Sequence, residues 1–136
     1  MTGTSNPGAR SAGRGRDGVV CDDDPMVRRI VVAVLQRCGY TAIETTAVAS
    51  EAIALAEAMQ PSVIVLDLAL EDESGLDAMP HLLRVAPRSP IVVYSSADSM
   101  KQKARDAGAY ALIDKVSLTN VADLETVIRS LDPPAL

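Results

Sequence analysis

Five strand-like runs alternate one by one with five helix-like runs. This predicts an α/β fold: a five-stranded parallel sheet with helices on both faces. Two further observations support it. Ser62–Leu68, SVIVLDL, is apolar on both faces apart from Asp67, the pattern of a central strand covered from both sides. Val27, Ile30, Val31, Val34, Leu35 and Cys38 fall at i, i+3, i+4, i+7, i+8 and i+11, one apolar stripe of an amphipathic helix.

The elements follow in order. Residues 1–17 are rich in Gly, Ser, Thr and Arg without periodicity and read as a disordered tail. The domain spans 18–131, and Val19–Cys21 is its first strand. Asp24 then supplies an N-cap acceptor and Pro25 the residue favoured at the first helical position, while Gly39 supplies the C-terminal stop. Thr41–Thr45 reads as the second strand, and Ala49–Met59 as the second helix, closed by Pro61. After Ser62–Leu68, the residues Leu76, Met79 and Leu83 mark a third helix. Pro80 inside it lacks a backbone donor and crowds the preceding turn, so a kink or a late start is expected. Ile91–Ser95 is the fourth strand, Ser99–Ala107 the fourth helix with Gly108 at its end, and Ala109–Asp114 the fifth strand. Val121, Leu124, Val127, Ile128 and Leu131 stripe a last helix capped by Thr119 or Asn120; Pro133-Pro134 ends the fold within a short tail, 132–136.

Composition narrows the function. A chain of 136 residues makes about one domain, and 48% hydrophobic with 23% charged residues is neither disordered throughout nor membrane-like. Phe and Trp are absent and the aromatics are Tyr40, Tyr94 and Tyr110. The core must be aliphatic, and a base-stacking platform is disfavoured. The net charge is −5; residues 1–17 carry +2 from Arg10, Arg14 and Arg16 against Asp17, leaving −7 on the rest. An acidic body repels phosphate backbones, so no nucleic-acid partner is expected for the folded part. The three arginines of the tail are read as part of a solvated extension. Cys21 and Cys38 sit among apolar residues, as reduced buried thiols do, which suggests a cytoplasmic location. The longest apolar run, Ile30–Leu35, is far short of a membrane span, and no secretory leader is visible.

In a doubly wound sheet the functional site lies at the carboxyl ends of the strands. The first strand ends in Asp22, Asp23 and Asp24, the third around Asp67, the fourth in Ser95 and Ser96, and the fifth in Asp114 and Lys115. Clustered carboxylates need a cation, and Mg²⁺ with its oxygen ligands is the simple solution in the cytosol. A cation, an ammonium and a hydroxyl around a carboxylate suit the reception of a phosphoryl group. Asp24, followed by Pro25, reads as an N-cap rather than a ligand, and lone His81 as a surface residue of its helix.

Four segments, VCDDDPMVRR, VIVLDLALEDESGLDAM, IVVYSS and GAYALIDK, resemble the four motifs of the response-regulator receiver domain of two-component signalling, in order and over Gly18–Leu131. The resemblance implies a flavodoxin-like fold with strand order 2-1-3-4-5 and phosphoryl transfer from a phosphohistidine onto an Asp. Asp67 matches the phosphoacceptor. Asp22 and Asp23 match the acidic pair that holds Mg²⁺, with Asp67 and the carbonyl of Ala69 as further ligands. Ser95 matches the hydroxyl that turns toward the phosphoryl group, Lys115 the phosphate-contacting lysine, and Gly75 the loop glycine. The implied partners are a sensor histidine kinase or histidine phosphotransfer domain, docking near the first helix, and a downstream protein target. The resemblance implies an output face made by the fourth and fifth helices with the fifth strand; a homodimer is left open. The chain ends at Leu136, so no attached DNA-binding module is expected, and the domain is not expected to be an enzyme beyond its own phosphorylation and dephosphorylation.

Some positions depart from the family pattern. Glu71 and Val116 stand where proline is common, and Leu112 where a switch aromatic usually lies. Strand alternation puts Tyr110 on the face of Leu112, a candidate substitute ring. The methyl side chains of Ala69 and Ala97 cannot orient water by hydrogen bonding, which implies slow self-dephosphorylation. Two rival functions remain. A phosphatase resembling haloacid dehalogenases needs an acid two residues after the nucleophile, where Ala69 stands. A receiver-like binding module that is never phosphorylated has no need of the full acidic, hydroxyl and lysine set.

Overall fold

The computed structural model describes residues 16–70, 72–96, 98–115 and 119–131. The expectations placed on 1–15, on 132–136 and on Glu71, Ala97 and Val116 lie outside the described residues. The elements run β1 (Arg16–Cys21), α1 (Pro25–Arg37), β2 (Tyr40–Thr46), α2 (Ala49–Met59), β3 (Val63–Leu66), α3 (Gly75–Val85), β4 (Ile91–Ser95), a 3₁₀ turn (Asp98–Met100), α4 (Lys101–Asp106), β5 (Ala111–Asp114) and α5 (Thr119–Ser130). The strands form one sheet in the order β2-β1-β3-β4-β5, every neighbouring pair parallel, as the resemblance implied.

The helices divide between the two faces. Ala49, Ala52 and Ala56 of α2, Ala78, Met79 and Leu82 of α3, and Ala104 of α4 pack on Val19, Cys21, Ile64, Leu66, Ile91 and Val93. Val31, Val34 and Leu35 of α1 and Leu124 and Ile128 of α5 pack on Val20, Val63, Val65, Val92, Tyr94 and Ile113. β1, β3 and β4 feed both clusters alternately, which is why their sequences are apolar on both faces. The core is mostly aliphatic, but Tyr40 and Tyr94 are buried in the α1/α5 layer, which the expectation of a wholly aliphatic core did not include; each fully buried Leu or Ile contributes about 1.5–3 kcal/mol.

Several boundaries differ from the sequence expectation. β1 starts at Arg16, not within a tail: Asp17 pairs with Ala42 of β2, and its carbonyl accepts from the Ser62 amide at 2.8 Å. Ladder bonds to both neighbours recruit polar residues that carry no hydrophobic signal. β3 stops at Leu66, so Asp67 stands just beyond the strand. α3 neither starts late nor breaks: Ser74 caps it, its Oγ accepting from the Leu76 amide at 3.1 Å, and Pro80 sits on its exposed side within the helix. The fourth helix is a 3₁₀ turn followed by only Lys101–Asp106. Thr119 and Asn120 lie inside the first turn of α5 rather than at its cap. Tyr110 is outside β5 and 51% exposed, its hydroxyl 3.2 Å from Ser130 Oγ at the end of α5. That is the end of β5 away from Lys115, so Tyr110 is not a ring beside Leu112 facing the site.

Candidate functional site

The parallel order sets the site. Cys21 of β1 is level with Leu66 of β3, so the next residues, Asp22 and Asp67, emerge side by side. The Asp67 amide donates to the Cys21 carbonyl at 2.9 Å, and the Asp22 amide to the Thr46 carbonyl of β2 at 3.0 Å. Asp22 and Asp67 are 3% and 4% exposed, while Asp23 is exposed. Carboxylate oxygens of Asp22, Asp23 and Asp67 lie within 4.8 Å of one another. Asp24 is the α1 cap, as read from the sequence: its Oδ1 accepts from the Met26 amide at 2.9 Å.

Lys115 follows β5, two strands from β3, a gap of about 9–10 Å. Its four-carbon stem lets Nζ donate to Asp22 Oδ2 at 2.6 Å and to Asp67 Oδ2 at 3.0 Å. Asp67 Oδ1 accepts from the Ala69 amide at 3.2 Å, and Asp22 Oδ1 from the Asp24 amide at 2.9 Å. Ser95, the last residue of β4 and buried, holds its Oγ 3.4 Å from the Leu68 amide, beside the loop that follows Asp67. The five residues singled out by sequence therefore meet at one rim, together with exposed Ala69. His81 is exposed on α3, with Nδ1 3.0 Å from Arg84 Nη2.

Three carboxylates face one ammonium. Burial raises the Asp22 pKa above the ordinary carboxylate value, although the Lys115 and Asp24 bonds pull it down. Burial alone would depress Lys115, but the hydrogen bond and charge of Asp22, with Asp67 added, hold it above its ordinary value. One ammonium thus leaves the cluster short of positive charge. A divalent cation fits that deficit: opposite ligands of one Mg²⁺ ion stand about 4 Å apart, close to the spread of these oxygens. Cys21 lies under the cluster; burial, then the charges of Asp72, Asp22 and Asp67, push its thiol up to about 12, far from a reactive thiolate.

Two contributors were not read from the sequence. Arg28 donates from Nη1 to the Asp22 carbonyl at 2.7 Å and braces the acidic loop from α1. Asp72 accepts from the amides of Ala49 and Ser50 at the start of α2. The available signal was α2 itself, which begins after Val48, a residue with no capping acceptor.

Fold and site define a doubly wound α/β protein with an acidic, lysine-bridged cluster on its carboxyl rim. The chain belongs to the response regulator receiver domain family, whose model matches residues 19–129. It is 28% identical over 99 residues to the transcriptional regulatory protein PdtaR of Mycobacterium tuberculosis, a match covering 71% of this chain and 48% of that protein. The chain thus spans about half the length of that curated relative. Among solved structures it resembles a LuxR-family two-component response regulator from Aurantimonas, at 27% identity and TM-score 0.76, covering 86% of this chain and 84% of that one. It also shares its fold with the receiver domain of the sensor histidine kinase PA1611 from Pseudomonas aeruginosa, at 20% identity and TM-score 0.74, covering 86% and 97% of the two chains. That structure has a magnesium ion coordinated in its active site cleft. Receiver domains are regulatory modules of two-component systems, phosphorylated on an Asp with Mg²⁺ and served by histidine kinases or phosphotransferases. Among the described residues, no helix is long and apolar enough to cross a membrane.

Proposed function

We propose that Asp67 is the phosphoacceptor of this receiver domain. The carrying observation is the Asp67 carboxylate itself: nearly buried, with Oδ2 on Lys115 Nζ at 3.0 Å and Oδ1 on the Ala69 amide at 3.2 Å. An Asp67 oxygen attacks the phosphorus of a phosphohistidine. The P–O bond forms, the P–N bond breaks, and the imidazole leaves with the electron pair and takes a proton from solvent. Lys115 pairs with the phosphoryl charge, and the Ser95 hydroxyl and Leu68 amide offer donors beside it. Asp22, Asp23, Asp67 and the Ala69 carbonyl are the residues to hold Mg²⁺. When bound, the ion neutralises charge on the phosphoryl oxygens.

In this reading 18–131, extended by Arg16 and Asp17, works as a regulatory unit and not as an enzyme on separate substrates. A sensor histidine kinase or phosphotransfer domain supplies the phosphoryl group, and output is by protein contact rather than by DNA binding of this segment. Cys21 and Cys38 are both buried and form no disulfide with each other, which suits the cytoplasm. The test is intact-mass analysis after incubation with acetyl phosphate and Mg²⁺. One added phosphoryl group is expected, absent in Asp67→Asn and without Mg²⁺. No addition to the wild type would favour the binding module that is not phosphorylated.

A further inference from the structure

Asp72 lies in the loop between Asp67 and α3, yet its side chain serves another helix. Oδ1 accepts from the Ala49 amide at 2.8 Å and Oδ2 from the Ser50 amide at 3.1 Å. α2 has no cap of its own, since Val48 stands at that position without a side-chain bond. The bond to Ala49, ahead of that to Ser50, holds the Asp72 carboxyl below its ordinary pKa, as expected for an anion at a helix start.

The loop is pinned at both ends. Ala69 and Ser74 form an antiparallel bridge, and the Gly75 amide donates to the Leu68 carbonyl at 2.9 Å. Asp72 pins the span between them. Its anchor is also tied to the other acidic loop: the Thr46 carbonyl accepts from the Asp22 amide at 3.0 Å, and Thr46 Oγ1 accepts from the Val48 amide at 3.2 Å. The start of α2 therefore links the segment carrying Asp22 with the segment carrying Ala69.

We infer that Asp72, by capping α2 from the acceptor loop, is a positioning residue that fixes the Ala69 backbone against Asp67 and Asp22. The inference rests on the reading of Asp67, Asp22 and Ala69 as the phosphoryl and Mg²⁺ site. It separates from a plain stability role because the cap can be restored without the tether. Asparagine at position 48 would cap α2 from within its own chain segment and leave the loop unattached.

The experiment compares wild type, Asp72→Ala, Asp72→Asn and the double variant Val48→Asn/Asp72→Ala. Three quantities are read: the thermal midpoint, the Mg²⁺ dissociation constant from the NMR shift of the Ala69 amide, and the phosphorylation rate with acetyl phosphate. Asp72→Ala is expected to lower the midpoint by roughly 3–6 °C and to weaken Mg²⁺ binding and the rate about tenfold. Asp72→Asn, which offers one acceptor oxygen where Asp72 offers two, should recover part of the three losses. The double variant should recover the midpoint but not the Mg²⁺ affinity or the rate. Recovery of all three in the double variant, or unchanged Mg²⁺ affinity and rate in Asp72→Ala, overturns the inference. Should Asp72→Ala not fold, Asp72→Glu decides: its longer side chain still reaches Ala49 but displaces the loop, and unchanged Mg²⁺ affinity again overturns it. A wild type that binds Mg²⁺ but takes no phosphoryl group overturns the parent reading, and the Mg²⁺ comparison still decides Asp72.

Discussion

Asp22 and Lys115 respond differently to one contact. The carboxylate is the more deeply buried, so desolvation prevails there, whereas attraction prevails at the ammonium. Neither outcome balances the rim, and that imbalance gives a cation its purchase. Gly75 matters at the same scale for a steric reason. A Cβ on it would stand 2.1 Å from the Asp67 carbonyl oxygen and 2.9 Å from Leu68 Cα, both backbone atoms. Gly75→Ala is therefore expected to cost roughly 1–3 kcal/mol or more, because the Asp67–Leu68 backbone itself must shift. Urea unfolding checks this, and a midpoint equal to that of wild type would count against it. Asp22, Asp23, Asp67, Ser95 and Lys115 were legible in the sequence because each falls at the end of an apolar run, where topology gathers strand ends. Asp72 and Arg28 were not: one acts on a helix start 23 residues earlier and the other on a main-chain carbonyl, and neither bond leaves a local pattern.

At the scale of elements, legibility followed burial. α2 and β4 match their expected limits, since apolar residues mark their whole length. α4 was overestimated because KQKARD has one buried residue, Ala104, and no stripe. β1 was underestimated because Arg16 and Asp17 join through the ladder rather than through apolar side chains. The α1–α5 contact carries a pH-dependent prediction. Arg129 donates to Glu125 Oε2 from Nε at 3.1 Å and from Nη2 at 2.8 Å, while Arg37 Nη2 donates to Oε1 at 2.5 Å. The Arg129 bonds lead, with Arg37 adding, in lowering the Glu125 pKa. A depressed folded pKa means stability present above the unfolded value and lost as pH falls through the folded one. Glu125→Gln should lower the thermal midpoint slightly at pH 7, the pair being exposed to solvent, and the gap to wild type should close below the ordinary glutamate range. A gap that does not narrow as the pH falls below the ordinary glutamate range would show that the ion pair is not its source.

For the whole molecule, the parallel alternation explains both stability and site. One sheet with a mainly aliphatic layer on each face fixes four neighbouring strand ends, and their loops need only carry the right side chains. That much followed from hydrophobic periodicity, whereas strand order required the resemblance of four motifs, because crossovers leave no periodic trace. The central claim is that Asp67 carries the phosphoryl group. Its most direct test is to phosphorylate the chain with acetyl phosphate and Mg²⁺, reduce the acyl phosphate with borohydride, and map the product by peptide mass spectrometry. Conversion of Asp67 to homoserine, and of no other acidic residue, is the predicted result. Homoserine at Asp22 or Asp23, or an unchanged Asp67 in a chain that has gained a phosphoryl group, would contradict it.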